Sequence, residues 1–137
     1  MTPSQFAALA DFRYQIRKFL HFSEQVARAS GLEPQQHQLL LALRGSGQVS
    51  PTIGYLAERL QIRHNSAVEL IDRMSERGWV RRVPSRDDGR CVTVELTRSG
   101  EAMLGKLSVE HLRELQQTGP ALVVALEFLL PALKAAR

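Results

Sequence analysis

The sequence predicts a mainly helical α+β protein, with four helices, a β-hairpin and two further helices in that order. Three observations carry this expectation. Apolar residues recur at three- and four-residue steps from about residue 4 to residue 77, and the period falls to two between Trp79 and Leu96 before returning to the helical value. Helix punctuation stands at Gly31 and Gly45 between helices, and at Gly78 and Thr97 where the period changes. The length of 137 residues suits one domain with a real core, so residues 1–137 are read as a single unit of organisation.

The first helix is expected over residues 4–30, stopped by Gly31. Its apolar residues, among them Phe6, Leu9, Phe12, Ile16, Phe19, Leu20 and Val26, cover more than one stripe, so a single neighbour cannot bury them all. The second helix, "EPQQHQLLLALRG", takes Pro34 in its first turn and ends at Gly45. For the third, Ser50 is the expected N-cap and Pro51 the first helical residue, with Leu56, Ala57, Leu60 and Ile62 pointing inward. A tight "QI" connection leads into "RHNSAVELIDRMSERG", where Ala67, Leu70, Ile71 and Met74 form the buried stripe. "WVRRV" and "CVTVEL" alternate as strands and are joined through "PSRDDGR". Thr97 caps the next helix, Glu101 favours its macrodipole, and Thr118-Gly119-Pro120 is expected to break it before a last apolar helix.

Two short adjacent helices followed by a hairpin make the plan of a winged helix-turn-helix, here residues 33–98. The helices on either side, 4–31 and 99–137, are apolar and far apart in sequence, as a helical dimerisation region requires; a homodimer is expected. The run "PALVVALEFLLPALKAA" is interrupted by Glu127, Pro131 and Lys134 and falls short of a membrane span. "MTPSQFAALADFRYQIRKFL" lacks the order of a secretory leader, and the single cysteine fits a reducing compartment, so the cytoplasm is expected and a membrane partner is not.

Eighteen Lys and Arg against fourteen Asp and Glu leave a net charge of +4. Its distribution says more than its size. Arg77, Arg81, Arg82, Arg86 and Arg90 fall within fourteen residues, opposed only by Asp87 and Asp88. Such a cluster favours an anionic partner, and beside a helix pair of this kind the partner is double-stranded DNA.

The solvent face of the fourth helix is neutral to basic at its start and carries Glu69, Asp72 and Glu76 later. A helix that enters the major groove by its N-terminal end suits that gradient, because its acidic half then sits away from phosphates. Asn65 matches adenine and Arg63 or Arg73 matches guanine, while Ser66 can bond a base or a phosphate. His64 accompanies them. Asn65 and Ser66 have a plainer reading as helix caps, Val68 serves core or contact equally, and Glu69 and Asp72 are acids of a kind usually solvated or paired with arginine. The hairpin beside such a helix passes over the backbone toward the minor groove, where negative potential rewards an inserted arginine. Arg90 at the tip suits that role, with Arg86 nearby and Asp88 orienting an arginine and holding the turn.

The stretches "LQIRHNSAVELIDRMSERGWVRR" and "DDGRCVTVELTRSG" resemble the MarR (multiple antibiotic resistance regulator) family of bacterial transcription factors. "VELIDRM", the "RGWVRR" step, Asp88 and Arg90 as Asp-x-Arg, and the closing "LTRSGE" match in order and spacing, and the resemblance extends over nearly the whole chain. It implies a homodimeric regulator, usually a repressor, on a pseudo-palindromic operator, with Arg90 as the minor-groove residue. Trp79 stands where the family usually has leucine, and "PSRD" replaces the usual acidic run-up to the tip. Those departures bear on the operator sequence, not on the fold.

Members of the family typically respond to a small aromatic or carboxylate effector bound between the dimerisation helices and the DNA-binding lobe. By that resemblance Tyr14, Arg17, His21 and Phe22, with Phe19, are the candidates here; a plainer reading makes the aromatics core and interface. Cys91 is expected to be exposed, and the first helix lacks the cysteine of the peroxide-sensing branch. His21, Glu24, His37, Glu110 and His111 are ligand types without a compact metal signature, so no metal and no other cofactor is expected. The competing class is a winged-helix module that binds protein, which calls for a neutral or apolar wing. An enzyme is not expected, because no phosphate-cradling glycine loop, nucleophile elbow or His-Glu-x-x-His is present.

Overall fold

The computed structural model describes residues 1–48, 50–85, 89 and 91–131. It contains α1 (Pro3–Ala29), α2 (Pro34–Arg44), α3 (Ile53–Leu60), α4 (His64–Glu76), β1 (Val80–Pro84), β2 (Val92–Leu96) and α5 (Arg98–Leu129). The mainly helical α+β class and the winged helix-turn-helix order are thus those expected. The chain divides into two compact units, residues 27–107 and residues 1–26 with those from Ser108 on.

The first of these units contains the winged helix. Its core is the buried set Ala27, Leu32, Leu39, Leu40, Leu56, Ile71, Met74, Val80, Val94 and Leu107, contributed by every element from the end of α1 to the first turns of α5. Local chemistry sets the boundaries. Gly31 adopts φ +87°, so α1 closes with the Leu32 N–H donating to the Ala27 carbonyl. Glu33 and Gln36 form a reciprocal box at the start of α2, with Pro34 at its first turn. Gly78, at φ +78°, turns the chain out of α4 and lets the Trp79 N–H donate back to the Met74 carbonyl. Thr97 caps α5 by accepting from the Gly100 N–H at 3.1 Å, and its hydroxyl also donates to the Gly78 carbonyl.

Two boundaries differ from expectation. The N-cap of α3 is Thr52, whose hydroxyl accepts from the Tyr55 N–H at 3.1 Å; Ser50 does not cap and Pro51 is not helical. Residues 50–52 are drawn instead against the hairpin. Pro51 is fully buried and its carbonyl accepts from the Val94 N–H at 2.9 Å, while Thr52 bridges Thr93. The second correction concerns Thr118-Gly119-Pro120, where α5 does not break. It is one 32-residue helix with Pro120 inside it, and the Thr118 hydroxyl donates to the Glu114 carbonyl one turn back. Helical periodicity on both sides outweighs the local breaker there.

β1 and β2 pair antiparallel, with Val80 opposite Leu96 and Pro84 opposite Val92. The simple alternation expected of β2 is modified. Thr93 is buried beside Val94 while Val92 is exposed, because Thr93 lies between Val83, whose carbonyl it bonds at 3.0 Å, and the Thr52 bridge.

The second unit joins most of α1 to the rest of α5. Phe19 and Phe22 meet the His111 ring edge-on, with centroids 6.0 Å away in each case, and His111 Nε2 lies 2.6 Å from the Ser23 hydroxyl. Large apolar side chains are left in solvent here, notably Phe6 and Leu20 on α1 and Leu112, Val124 and Phe128 on α5. Among the described residues no helix is long and apolar enough to cross a membrane.

Candidate nucleic-acid interface

Ala67, Leu70, Ile71 and Met74 are at most 5% exposed, so α4 is held by the stripe its periodicity indicated. That fixes the opposite face in solvent. The helix starts at an N-cap, Arg63, that makes no side-chain capping bond, and Arg63, His64, Asn65 and Ser66 are all exposed. The capping reading of Asn65 and Ser66 therefore fails; both side chains are exposed at the first turn, where the backbone N–H groups and the positive end of the helix dipole point outward.

Before α4 comes a sharp connection. Gln61 takes a left-handed conformation at φ 55°, and the Ile62 N–H donates to the Ala57 carbonyl. The chain thus reverses within two residues and starts α4 at His64. Val68 is half-buried at the edge of the packed stripe.

The arginines of this region are not equivalent. Arg73 lies 3.8 Å from Glu69, both largely exposed, a pair worth only about 0.5 kcal/mol or less. Arg82, on β1, reaches back across α4: its Nη2 lies 2.7 Å from an Asp72 oxygen and donates to the Val68 carbonyl at 3.4 Å. Arg81, on the opposite face of the strand, pairs with Glu95 across the hairpin. The Arg77 guanidinium stacks 4.3 Å from the centre of the buried Trp79 ring. Among the described residues Arg63 has no ion pair.

At the far end of the hairpin the Ser85 N–H donates to the Cys91 carbonyl at 2.8 Å, and Cys91 is exposed. Arg86, Asp88 and Arg90, the residues expected at the wing tip, lie outside the described residues.

The effector candidates on α1 fall into two groups. Tyr14, Arg17 and His21 share one stripe of the helix and are exposed, with Lys18 Nζ 5.2 Å from the centre of the Tyr14 ring. Phe22 is half-buried against His111. None of these four lines either of two clefts in the other unit. One, of about 560 Å³, lies between Leu43, Arg44, Pro51, Arg81, Val94 and Glu101 and is edged by an Arg44–Glu101 ion pair at 3.3 Å. The second, of about 330 Å³, lies between α2 and α3 beside Leu41, Tyr55 and Arg59. Among the described residues no three His, Cys, Asp or Glu side chains gather as a metal site would need.

The contacts of Arg82 with Asp72 and of Arg77 with Trp79 were not evident in the sequence. Helical and strand periodicity assign faces within one element, and they do not say which charged residues of different elements meet.

A helix held by its apolar side, open at its N-terminus and flanked by an antiparallel hairpin defines a winged helix-turn-helix protein. Residues 30–90 match the family model described as MarR family. PecS, an HTH-type transcriptional regulator of Dickeya dadantii, is 30% identical over 83 residues, which are 58% of this chain and 49% of PecS. The chain therefore spans about half the length of that curated relative. Its fold is also that of AbsC, a MarR family transcriptional regulator from Streptomyces coelicolor (TM-score 0.76, 21% identity, 100% of this chain and 97% of AbsC). A mutant MarR from E. coli, solved in complex with operator DNA, superposes with a TM-score of 0.69 at 23% identity over 88% of this chain and 89% of that one. The resemblance carried by "VELIDRM" and the "RGWVRR" step is thereby borne out: residues 30–90 are similar to the MarR family, and the fold is that of MarR family regulators.

Proposed function

We propose that the protein binds double-stranded DNA as a homodimer and regulates transcription, most simply as a repressor on a pseudo-palindromic operator. Residues 33–98 form the DNA-binding lobe, and residues 4–31 with 99–137 the dimerisation region. The N-terminal end of α4 enters the major groove, where Arg63, His64, Asn65 and Ser66, with Arg73 further along, meet base edges and phosphates. The hairpin crosses to the minor groove and delivers Arg90, with Arg86 on the backbone and Asp88 orienting the tip.

One observation carries this reading: the first turn of α4 is uncapped, exposed and cationic, on a helix whose other side is locked into the core. Groups aimed at base edges need a rigid support, and the buried stripe supplies it. The operator complex of the E. coli MarR relative lends further support, as do the large apolar side chains exposed on α1 and α5, which a second copy of the chain would cover.

The reading includes release by a small aromatic or carboxylate effector. The candidates remain Tyr14, Arg17 and His21 on the exposed stripe of α1 and Phe22 beside them.

Selection of bound duplexes from random-sequence DNA tests the central claim. Enrichment of an inverted repeat with half-site centres about one helical turn apart is expected. Failure to enrich any sequence, together with salt-independent behaviour on every duplex, would overturn it.

A further inference from the structure

We infer that Asp72 is a specificity determinant that acts by withholding Arg82 from DNA phosphates. The inference rests on the DNA-binding reading above and goes beyond it, because neither residue belongs to the contact set proposed there. Arg82 sits on the strand that follows the recognition helix, on the side of the hairpin turned toward α4. Its guanidinium lies over the solvent face of that helix, bonded to the Asp72 carboxylate at 2.7 Å and to the Val68 carbonyl at 3.4 Å. Both partners keep substantial exposure, 38% for the Arg82 side chain and 55% for Asp72, so the pair is a solvated surface contact and not a core element.

An exposed pair of this kind contributes little to stability. Its consequence for binding is larger. A cation between the recognition helix and the wing is in position to meet the DNA backbone, and phosphate contacts strengthen every sequence alike. By satisfying the guanidinium internally, Asp72 lowers the sequence-independent part of the affinity and leaves discrimination to the free groups at the α4 N-terminus. The acidic half of α4 is then an electrostatic filter and not merely a stretch kept away from phosphates.

Asp72→Asn tests this, since it removes the charge while leaving a side chain that can still accept from Arg82. Two duplexes are needed, one selected by the wild-type protein and one of random sequence, each titrated at several salt concentrations. The random duplex should be bound more tightly by the variant, with a salt slope steeper by about 0.9, so that the gain is roughly threefold larger at about 50 mM than at about 200 mM salt. The selected duplex should gain less, so the ratio between the two falls. Adding Arg82→Gln to Asp72→Asn should remove the gain and restore the wild-type slope. A purely structural role gives the opposite pattern: Asp72→Asn would weaken the selected duplex and leave the random-duplex slope unchanged, and that result overturns the inference. If the wild-type protein itself selects no duplex, the reading beneath it fails first, which is a distinct outcome.

Discussion

Gly100 is pressed against the carbonyl of Trp79, so closely that a Cβ on Gly100 would stand 2.0 Å from that oxygen. The contact joins the first turn of α5 to the start of the wing, beside the Thr97 hydroxyl that ties the same turn to Gly78. Backbone on both sides leaves no flexible group to move aside. Gly100→Ala should therefore destabilise the protein by at least about 2 kcal/mol, in the upper range for overpacking. Gly105→Ala is the control: it lies exposed in the same helix with nothing within 4 Å of its added methyl, and should stabilise by about 0.5–1 kcal/mol. Urea unfolding of the two variants checks the contrast.

Asn65→Ala and Arg63→Ala should each reduce affinity for a selected duplex by roughly 1–3 kcal/mol, the worth of a bidentate base contact, with smaller losses on random DNA. Equal losses on both duplexes would reassign these residues to phosphate contacts.

Arg90→Ala should weaken binding to the selected duplex and flatten its salt dependence by somewhat less than one counterion, against a slope of about −0.9 per neutralised phosphate. Asp88→Ala deletes a negative charge, and simple electrostatics gives tighter binding. The wing-orienting role assigned to Asp88 gives weaker binding instead. Filter binding of both variants on one duplex at two salt concentrations decides between them.

Leu112→Glu and Val124→Glu should convert a dimer into a monomer. Both side chains are more than half exposed on α5 in the single chain, and a carboxylate buried at an interface without a partner costs several kcal/mol. Sedimentation at micromolar concentration distinguishes 15.4 kDa from twice that mass. A wild-type monomer would contradict the proposed assembly.

The parts of the fold legible in the sequence were those fixed by short-range rules. The α4 stripe, the stops at Gly31 and Gly78 and the Thr97 cap each follow from residues within one or two turns. What failed depended on distant partners. Ser50-Pro51-Thr52 offers two hydroxyl caps two residues apart, and only the pull of Val94 and Thr93 on Pro51 and Thr52 decides for Thr52. Pro120 reads as a breaker over three residues and is overruled by 32 residues of helix. In the candidate interface, the N-cap position of Arg63 removes the capping reading of Asn65 and Ser66 and leaves both side chains exposed. The grip of Arg82 on Asp72 was out of reach, because it joins side chains of two elements whose facing no periodicity encodes.

The short stretch at Pro51 and Thr52 also bears on how the chain behaves in a crowded solution. A two-stranded sheet has two open edges, and an open edge invites strands from other molecules. Here the β2 edge is occupied where Pro51 and Thr52 bond to it. The β1 edge ends in a proline and carries Arg81 and Arg82, the residue types that deter edge-to-edge growth. Loosening residues 50–52 would thus uncover a strand able to template aggregation, making this connection a safeguard of colloidal stability as well as a link between helices.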